Sequence, residues 1–171
     1  MASPDADWTL VWRLARYGGL GPDNISFLFR MIHQTLPTQE RVSRTKPGTS
    51  PQCKLQECSA VTEDLSHALL HCPGNESVGL NLLTCLREIQ PGLQADALLR
   101  LEIQVEEELE LPVVWTAATI LRIVWNMRQT SPRIRPYLVR SQLEAEINLL
   151  RDTRYSEATN KITEFAEVIF S

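Results

Sequence analysis

One stretch of the chain is apolar on almost every face that a helix would present. Its apolar residues follow one another with few polar breaks: Val113, Val114, Trp115, Ala117, Ala118, Ile120, Leu121, Val124 and Trp125. A surface helix keeps a polar face, so a helix without one has to be surrounded by other elements. The pattern therefore predicts a central buried helix. Because Arg122 interrupts the stretch and no window reaches ~18 uninterrupted apolar residues, the sequence predicts no membrane span.

Shorter amphipathic segments flank this run. Apolar residues at i, i+3, i+4 spacing predict helices over 3–17, 23–36, 77–89, 93–100, 138–151 and 156–170. Thr38 is expected to cap a short turn that runs through Arg41 and ends near Lys46, Pro47 and Gly48, and Pro112 is expected to lie where the central helix begins. No stretch alternates with period two for long enough to predict a strand. With 43% hydrophobic residues, the 171-residue chain can bury a core. The fold class is predicted to be mainly α, an irregular multi-helix bundle.

The N-terminus bears on how the four cysteines are interpreted. It carries Asp5 and Asp7 where a signal peptide needs positive charge followed by an apolar block. We therefore expect an intracellular protein, in the nucleus or cytoplasm and not secreted. Its thiols should be reduced, so cysteines grouped with histidine are interpreted as metal ligands before disulfides.

Such a group lies between residues 53 and 73. Cys53, Cys58, His67 and Cys72 follow the spacing Cys-x4-Cys-x8-His-x4-Cys. Zn²⁺ takes four such ligands in a tetrahedron, and two short-range pairs joined by a modest loop can supply them. A loop would carry the first pair, and a short helix capped near Glu63 and Asp64 would carry the second. Four protein ligands leave no open position for a catalytic water, so the predicted Zn²⁺ is structural.

His71 is a competing ligand. It follows His67 by four residues, on the same face of a helix, and it lies beside Cys72 rather than opposite it. His67 is preferred and His71 remains the alternative. The fourth cysteine, Cys85, lies in an apolar helical stretch and is interpreted as an ordinary buried thiol.

The order of these motifs resembles a known family. Residues 29–38 read Phe-Arg-Met-Ile-His-Gln-Thr-Leu-Pro-Thr, a basic loop and the first cysteine pair follow, and residues 63–73 read Glu-Asp-Leu-Ser-His-Ala-Leu-Leu-His-Cys-Pro. Over about residues 25–75 the chain resembles the reverse-transcriptase zinc-binding domain, which lies C-terminal to the polymerase in many non-LTR retrotransposons. The helical remainder is only loosely similar. The first cysteine pair has two more intervening residues than the Cys-x-x-Cys of that family.

The resemblance implies a ligand set and a role. By the pattern of the family, the ligands are Cys53, Cys58, His67 and Cys72. The implied module helps to hold template RNA or target DNA near a polymerase. The paired aspartates of a polymerase site are absent from this sequence, as are a phosphate loop, a nucleophile elbow and a His-Glu-x-x-His motif. We therefore predict no catalytic residues and no enzymatic activity.

Charge distribution leaves room for a nucleic-acid partner. The net charge is −4, but residues 1–54 carry +3, residues 55–112 carry −9 and residues 113–171 carry +2. The candidate phosphate contacts lead into the cysteine segment: Arg41, Arg44, Lys46 and Lys54. A second basic cluster comprises Arg128, Arg133, Arg135 and Arg140. Salt-sensitive binding of RNA or single-stranded DNA is one expectation, and an ordinary solvated face is the other interpretation of each cluster.

Two functional hypotheses follow. The first is a non-catalytic zinc-binding module that assists RNA or DNA binding. The second is a zinc-stapled structural or protein-interaction domain, derived from a retrotransposon, whose partner is another protein. Under both hypotheses we expect a single helical domain over 1–171, with a small zinc knuckle at 45–75 inserted in it and a C-terminal helical tail at 76–171.

Overall fold

The computed structural model describes residues 22–58, 60–75, 77–131, 133–151 and 156–171. The helix predicted over 3–17 therefore lies outside the described residues. The first described helix, α1 (Pro22–Ile32), begins with a proline and an aspartate, which suit the first turn because its N–H groups have no helical acceptors. It ends earlier than predicted. Gln34 adopts a left-handed backbone (φ 53°) and the N–H of Thr35 bonds to the carbonyl oxygen of Arg30, so the chain turns before it reaches Pro37.

A second short helix leads into the cysteine segment. Helix α2 (Gln39–Thr45) is capped as predicted by Thr38, whose hydroxyl accepts from the N–H of Arg41 at 3.3 Å. It ends at Thr45, in agreement with the predicted end near Lys46, Pro47 and Gly48. None of its side chains is fully buried.

The cysteine segment folds into short irregular turns. An antiparallel bridge joins Gln52 to Thr62, and the loop between them holds a 3₁₀ turn over Gln56–Cys58. A π-helix covers His67–His71 and a further 3₁₀ turn covers Pro73–Asn75. The predicted small knuckle is thus present as an irregular insertion between helices.

Helix α3 (Val78–Ile89) packs against the π-helix, and α4 (Ala95–Leu99) follows it. The contact with the π-helix is close because Gly79 has no side chain. A Cβ atom added there would lie 2.4 Å from the carbonyl oxygen of Leu69 and 2.6 Å from Cα of Leu70. Glycine at this position is therefore a condition of the packing.

The apolar stretch forms the predicted central helix, α5 (Glu107–Thr130). Its side chains from Val113 to Leu121 are all buried. The expectation that it begins at Pro112 was wrong, because the proline lies inside the helix, more than one turn from its start. The helix begins five residues before the proline, at Glu107. The hydroxyl of Thr116 donates to the carbonyl oxygen of Pro112 at 2.8 Å.

Two further helices complete the body. Helices α6 (Pro136–Arg151) and α7 (Ser156–Ile169) agree closely with the predicted segments, and both pack on α5 and on each other. Helix α1 and the π-helix also contact α5. Arg122, the one charge in the apolar stretch, pairs with Glu146 of α6. The described residues form a mainly α multi-helix fold, as predicted.

No helix in the described part of the chain combines the length and apolar character that crossing a membrane requires.

Candidate metal centre

The first two cysteines lie on a loop closed by backbone hydrogen bonds. The N–H of Cys53 donates to the carbonyl oxygen of Val61 at 2.9 Å, and the N–H of Val61 donates to that of Cys58 at 2.8 Å. Within the loop, the N–H of Cys58 donates to the carbonyl oxygen of Leu55. The chain therefore doubles back over the four residues between the cysteines. This turn brings both thiols to one side despite the long spacing.

The π-helix sets the second pair. An α-helix advances 3.6 residues per turn, so residues five apart lie about 140° from one another on its surface. Here the N–H of Cys72 donates to the carbonyl oxygen of His67 at 2.8 Å, the i to i+5 bond of a wider turn. This wider turn places His67 and Cys72 together. The carboxylate of Asp64 accepts from the N–H of His67 at 2.7 Å and secures the start of the turn.

Asn75 holds the π-helix from the other end. Its side chain is fully buried, and its amide nitrogen donates to the carbonyl oxygens of Ala68 and Leu69 at 3.0 and 3.1 Å. Its own N–H donates to the carbonyl oxygen of Cys72. A wide turn leaves some carbonyl groups without helical donors, and Asn75 satisfies two of them.

The structure brings together the side chains of Cys53, Cys58, His67 and Cys72. One donor atom from each lies within 4.8 Å of all the others, and all four residues are buried. The sulfur of Cys72 is 3.8 Å from that of Cys53 and 3.9 Å from that of Cys58. These distances exclude a disulfide, whose sulfurs are about 2.05 Å apart. A tetrahedron with metal–sulfur bonds of about 2.3 Å has edges of about 3.8 Å. The four residues could therefore coordinate a metal ion.

The protonation chemistry of the cluster also suits a metal ion. Burial lowers the pKa of His67, and the nearby positive charge of Arg128 lowers it further, which favours the neutral imidazole that binds metals. Nε2 of His67 is buried and has no hydrogen-bond partner among the described residues. Burial and the adjacent sulfurs of Cys53 and Cys72 raise the pKa of Cys58 from 9.0 to about 12. Thiolates this close repel one another unless a cation lies between them.

Sequence reasoning missed a buried ion pair beside the cluster. Arg128 of α5 and Glu63 of the knuckle lie 2.7 Å apart, and their side chains are only 8% and 9% exposed. The same guanidinium approaches the sulfur of Cys53 at 3.7 Å. The interpretation of Arg128 as part of an exposed basic cluster was therefore wrong. The position of Arg128 just after the buried apolar stretch could have indicated that its side chain is buried. Its partner Glu63 could not be found in this way, because it lies 65 residues away in the sequence.

The remaining candidates lie outside the cluster. His71 is exposed and does not belong to the group of four. Cys85 is partly exposed rather than buried, and its sulfur faces the carbonyl oxygen of Val168 at 3.8 Å. In the second basic cluster, Arg133 pairs with Glu57 of the knuckle and Arg140 with Glu144. Both are exposed pairs, and Arg135 is exposed as well, so these three guanidinium groups stay at the surface, unlike that of Arg128.

The four residues predicted to contact phosphate are all exposed. They are Arg41, Arg44, Lys46 and Lys54. Arg41 donates to the carbonyl oxygen of Gln34 at 3.0 Å, and Arg44 pairs with Glu40 one turn earlier on α2. Exposed pairs of this kind form and break at little cost, so both guanidinium groups remain able to contact a ligand.

Comparison with known proteins identified no relative: no protein-family model, no curated protein and no solved structure matches this chain.

Proposed function

We propose that this protein is a non-catalytic module built around a structural Zn²⁺ ion, held by Cys53, Cys58, His67 and Cys72. The observation that supports the proposal best is the spacing of the sulfurs, 3.8 and 3.9 Å, which is that of ligands around one tetrahedral ion. Three thiolates and one imidazole are a soft set that favours zinc over magnesium, calcium or manganese. All four positions are taken by the protein, so the site is closed to substrate.

The need for such an ion arises from the knuckle itself. Between residues 45 and 63, Leu55 is the one buried aliphatic side chain in the described part, and it lies in a small cluster with the three cysteines. This cluster is separate from the main helical core. A segment that buries so little apolar surface does not hold a fixed shape by hydrophobic packing. Metal binding would supply the missing folding free energy.

The proposal is tested by metal content. After the purified chain is loaded with Zn²⁺ and excess metal is removed, we expect it to retain one zinc ion per chain. Mass spectrometry of the elements in the sample measures this ratio. Cys53→Ser and Cys72→Ser are each expected to lose it, because a hydroxyl does not replace a thiolate ligand. Cys85→Ser is the matched control, since it changes a cysteine outside the cluster. Zinc retained by both site variants, or lost equally by Cys85→Ser, would overturn the proposal.

A second proposal concerns nucleic acid. We propose that the exposed cations of α2 and the knuckle contact the backbone of RNA or single-stranded DNA, as the resemblance to the reverse-transcriptase zinc-binding domain implies. The observation in its favour is that Arg41, Arg44, Lys46 and Lys54 all lie exposed on the segment that leads into the metal centre. The competing hypothesis keeps the zinc and assigns the surface to a protein partner.

Salt dependence distinguishes these two hypotheses. For a single strand, log K is expected to fall with log salt with a slope of about −0.7 per phosphate contact. Arg41→Ala combined with Arg44→Ala should therefore weaken binding and reduce that slope by about 1.4. Arg87→Ala combined with Lys161→Ala removes the same charge from α3 and α7 and serves as the control. Absence of binding at low salt, or equal weakening by both double variants, would favour the protein-interaction hypothesis, as would a stable oligomer indifferent to nucleic acid.

A further inference from the structure

Arg128 makes three contacts that converge on the metal centre. Its Nη2 atom lies 2.7 Å from Oε2 of Glu63 and 3.7 Å from the sulfur of Cys53, and Nη1 lies 3.3 Å from Oδ1 of Asn75. The first two acceptors lie in the first part of the knuckle (45–63), whereas Asn75 bonds to the π-helix that places the other two cluster residues, His67 and Cys72. One side chain from the central helix therefore contacts Cys53 in the first half of the cluster and Asn75, which supports the second half.

The positive charge of Arg128 matters for metal binding because the metal-bound cluster would be negatively charged. Zn²⁺ bound by three thiolates and a neutral imidazole carries one net negative charge. The centre is buried, and an unbalanced charge is costly there. Glu63 accepts from the guanidinium through Oε2 alone, since its Oε1 atom accepts from the N–H of Gln39 at the start of α2, and Nη2 of Arg128 also donates to the sulfur of Cys53. Arg128 can therefore stabilise the added negative charge at the sulfur of Cys53 while it keeps its ion pair.

We propose that Arg128 is a positioning residue for the metal centre: its guanidinium binds the sulfur of Cys53, lowers the electrostatic cost of the negative metal–thiolate group and holds the two halves of the ligand set together. This inference rests on the proposed zinc site. An N–H donor to a metal-bound thiolate also withdraws electron density from the sulfur. The residue thus connects the affinity of the knuckle for its ion to the position of α5.

Arginine rather than lysine suits this role. The planar guanidinium directs two nitrogens at acceptors on different segments, which a single ammonium group cannot do with the same geometry. Burial lowers the pKa of Arg128, but the sulfurs of Cys72 and Cys53 and the carboxylate of Glu63 raise it by more, so the group remains charged.

Zinc affinity, measured by competition with a chelating dye on the full chain, tests the inference. Arg128→Met is expected to weaken zinc binding by about 10- to 100-fold, the usual effect of losing a group that supports metal ligands. Arg128→Lys should recover part of the loss. The control is Arg122→Met, which breaks another partly buried ion pair of the same helix, six residues away. The zinc affinity of Arg122→Met should stay close to that of the wild type.

A second comparison separates the sulfur contact from the ion pair and remains valid if Arg128→Met alone fails to fold. Glu63→Gln removes the ionic partner and leaves the guanidinium beside Cys53. Adding Arg128→Met to Glu63→Gln then removes the cation without leaving a buried carboxylate unpaired. The double variant is expected to bind zinc about tenfold or more weakly than Glu63→Gln. With Co²⁺ in place of zinc, its thiolate-to-metal charge-transfer band should shift to lower energy.

The outcomes are distinct. If the double variant and Glu63→Gln bind zinc equally, or if Arg128→Met matches the wild type, Arg128 is only a structural ion-pair partner and the inference fails while the zinc site stands. If the wild type itself binds no zinc, both the zinc site and the role of Arg128 fall.

Discussion

Replacing His67 with alanine is expected to lower the free energy of unfolding of the zinc-loaded protein by about 4 kcal/mol, when free zinc is about 1,000 times the dissociation constant of the wild type. At that ratio a bound ion stabilises the folded state by this amount, and a site with three of its four ligands no longer binds it well. The side chain of His67 is only 8% exposed and its Nε2 atom has no other partner among the described residues. Urea unfolding followed by circular dichroism at a buffered zinc concentration measures the change.

His71→Ala is the matched control for this prediction. It removes the same side chain four residues away, from an exposed position on the same turn, and is expected to change stability little. A chelator should remove most of the difference between wild type and His67→Ala, because the loss acts through the ion. Equal destabilisation by the two histidine variants, or a His67→Ala effect that persists undiminished in chelator, would contradict the ligand assignment.

Replacing Gly79 with alanine is expected to destabilise the protein by about 3 kcal/mol, the upper end of the usual range for overpacking. The added Cβ atom would lie 2.4 Å from the carbonyl oxygen of Leu69 and 2.6 Å from Cα of Leu70. Both are backbone atoms, which cannot rotate aside as the end of a side chain can. The clash outweighs the gain of about 1 kcal/mol that alanine brings as a better helix former.

The same substitution should also weaken zinc binding, since the displaced backbone belongs to the π-helix between His67 and Cys72. Thermal unfolding and chelator competition measure the two effects on one sample. Leu80→Ala, at the next position of α3 with its side chain 44% exposed, is the control and should leave both nearly unchanged. A Gly79→Ala protein as stable as the wild type would show that α3 and the π-helix can separate without cost.

The spacing of apolar residues along the sequence was sufficient to predict most of the helices. The all-round apolar stretch predicted the buried central helix, and simple periodicity placed α6 and α7 closely, because amphipathic spacing expresses which face of a helix is buried. The predicted helix boundaries were less accurate where a proline was expected to mark the start or the end of a helix. Pro112 lies inside α5, and α1 ends at Ile32, before the left-handed Gln34, rather than at Pro37.

The candidate site was only partly accessible to the same reasoning. Cysteine and histidine spacing identified the segment, but α-helical geometry left His67 and His71 as alternatives on one face. The choice depends on a π-turn whose carbonyl groups are satisfied by Asn75 and against which α3 packs through Gly79. These are contacts between segments, which residue spacing along the chain does not describe.

The sequence by itself determined a helical protein with one segment of side chains that could coordinate a metal ion, because helical periodicity and side-chain type are local properties. The sequence also favoured His67 over His71, but only the tertiary structure shows the side chain of His67 facing the three sulfurs, and it alone decided that Arg128 lies buried against Glu63 and Cys53 instead of in solvent. The physical reason is that the environment of a buried polar group depends on which distant segments surround it. In this chain those segments are brought together by the packing of the central helix against the knuckle.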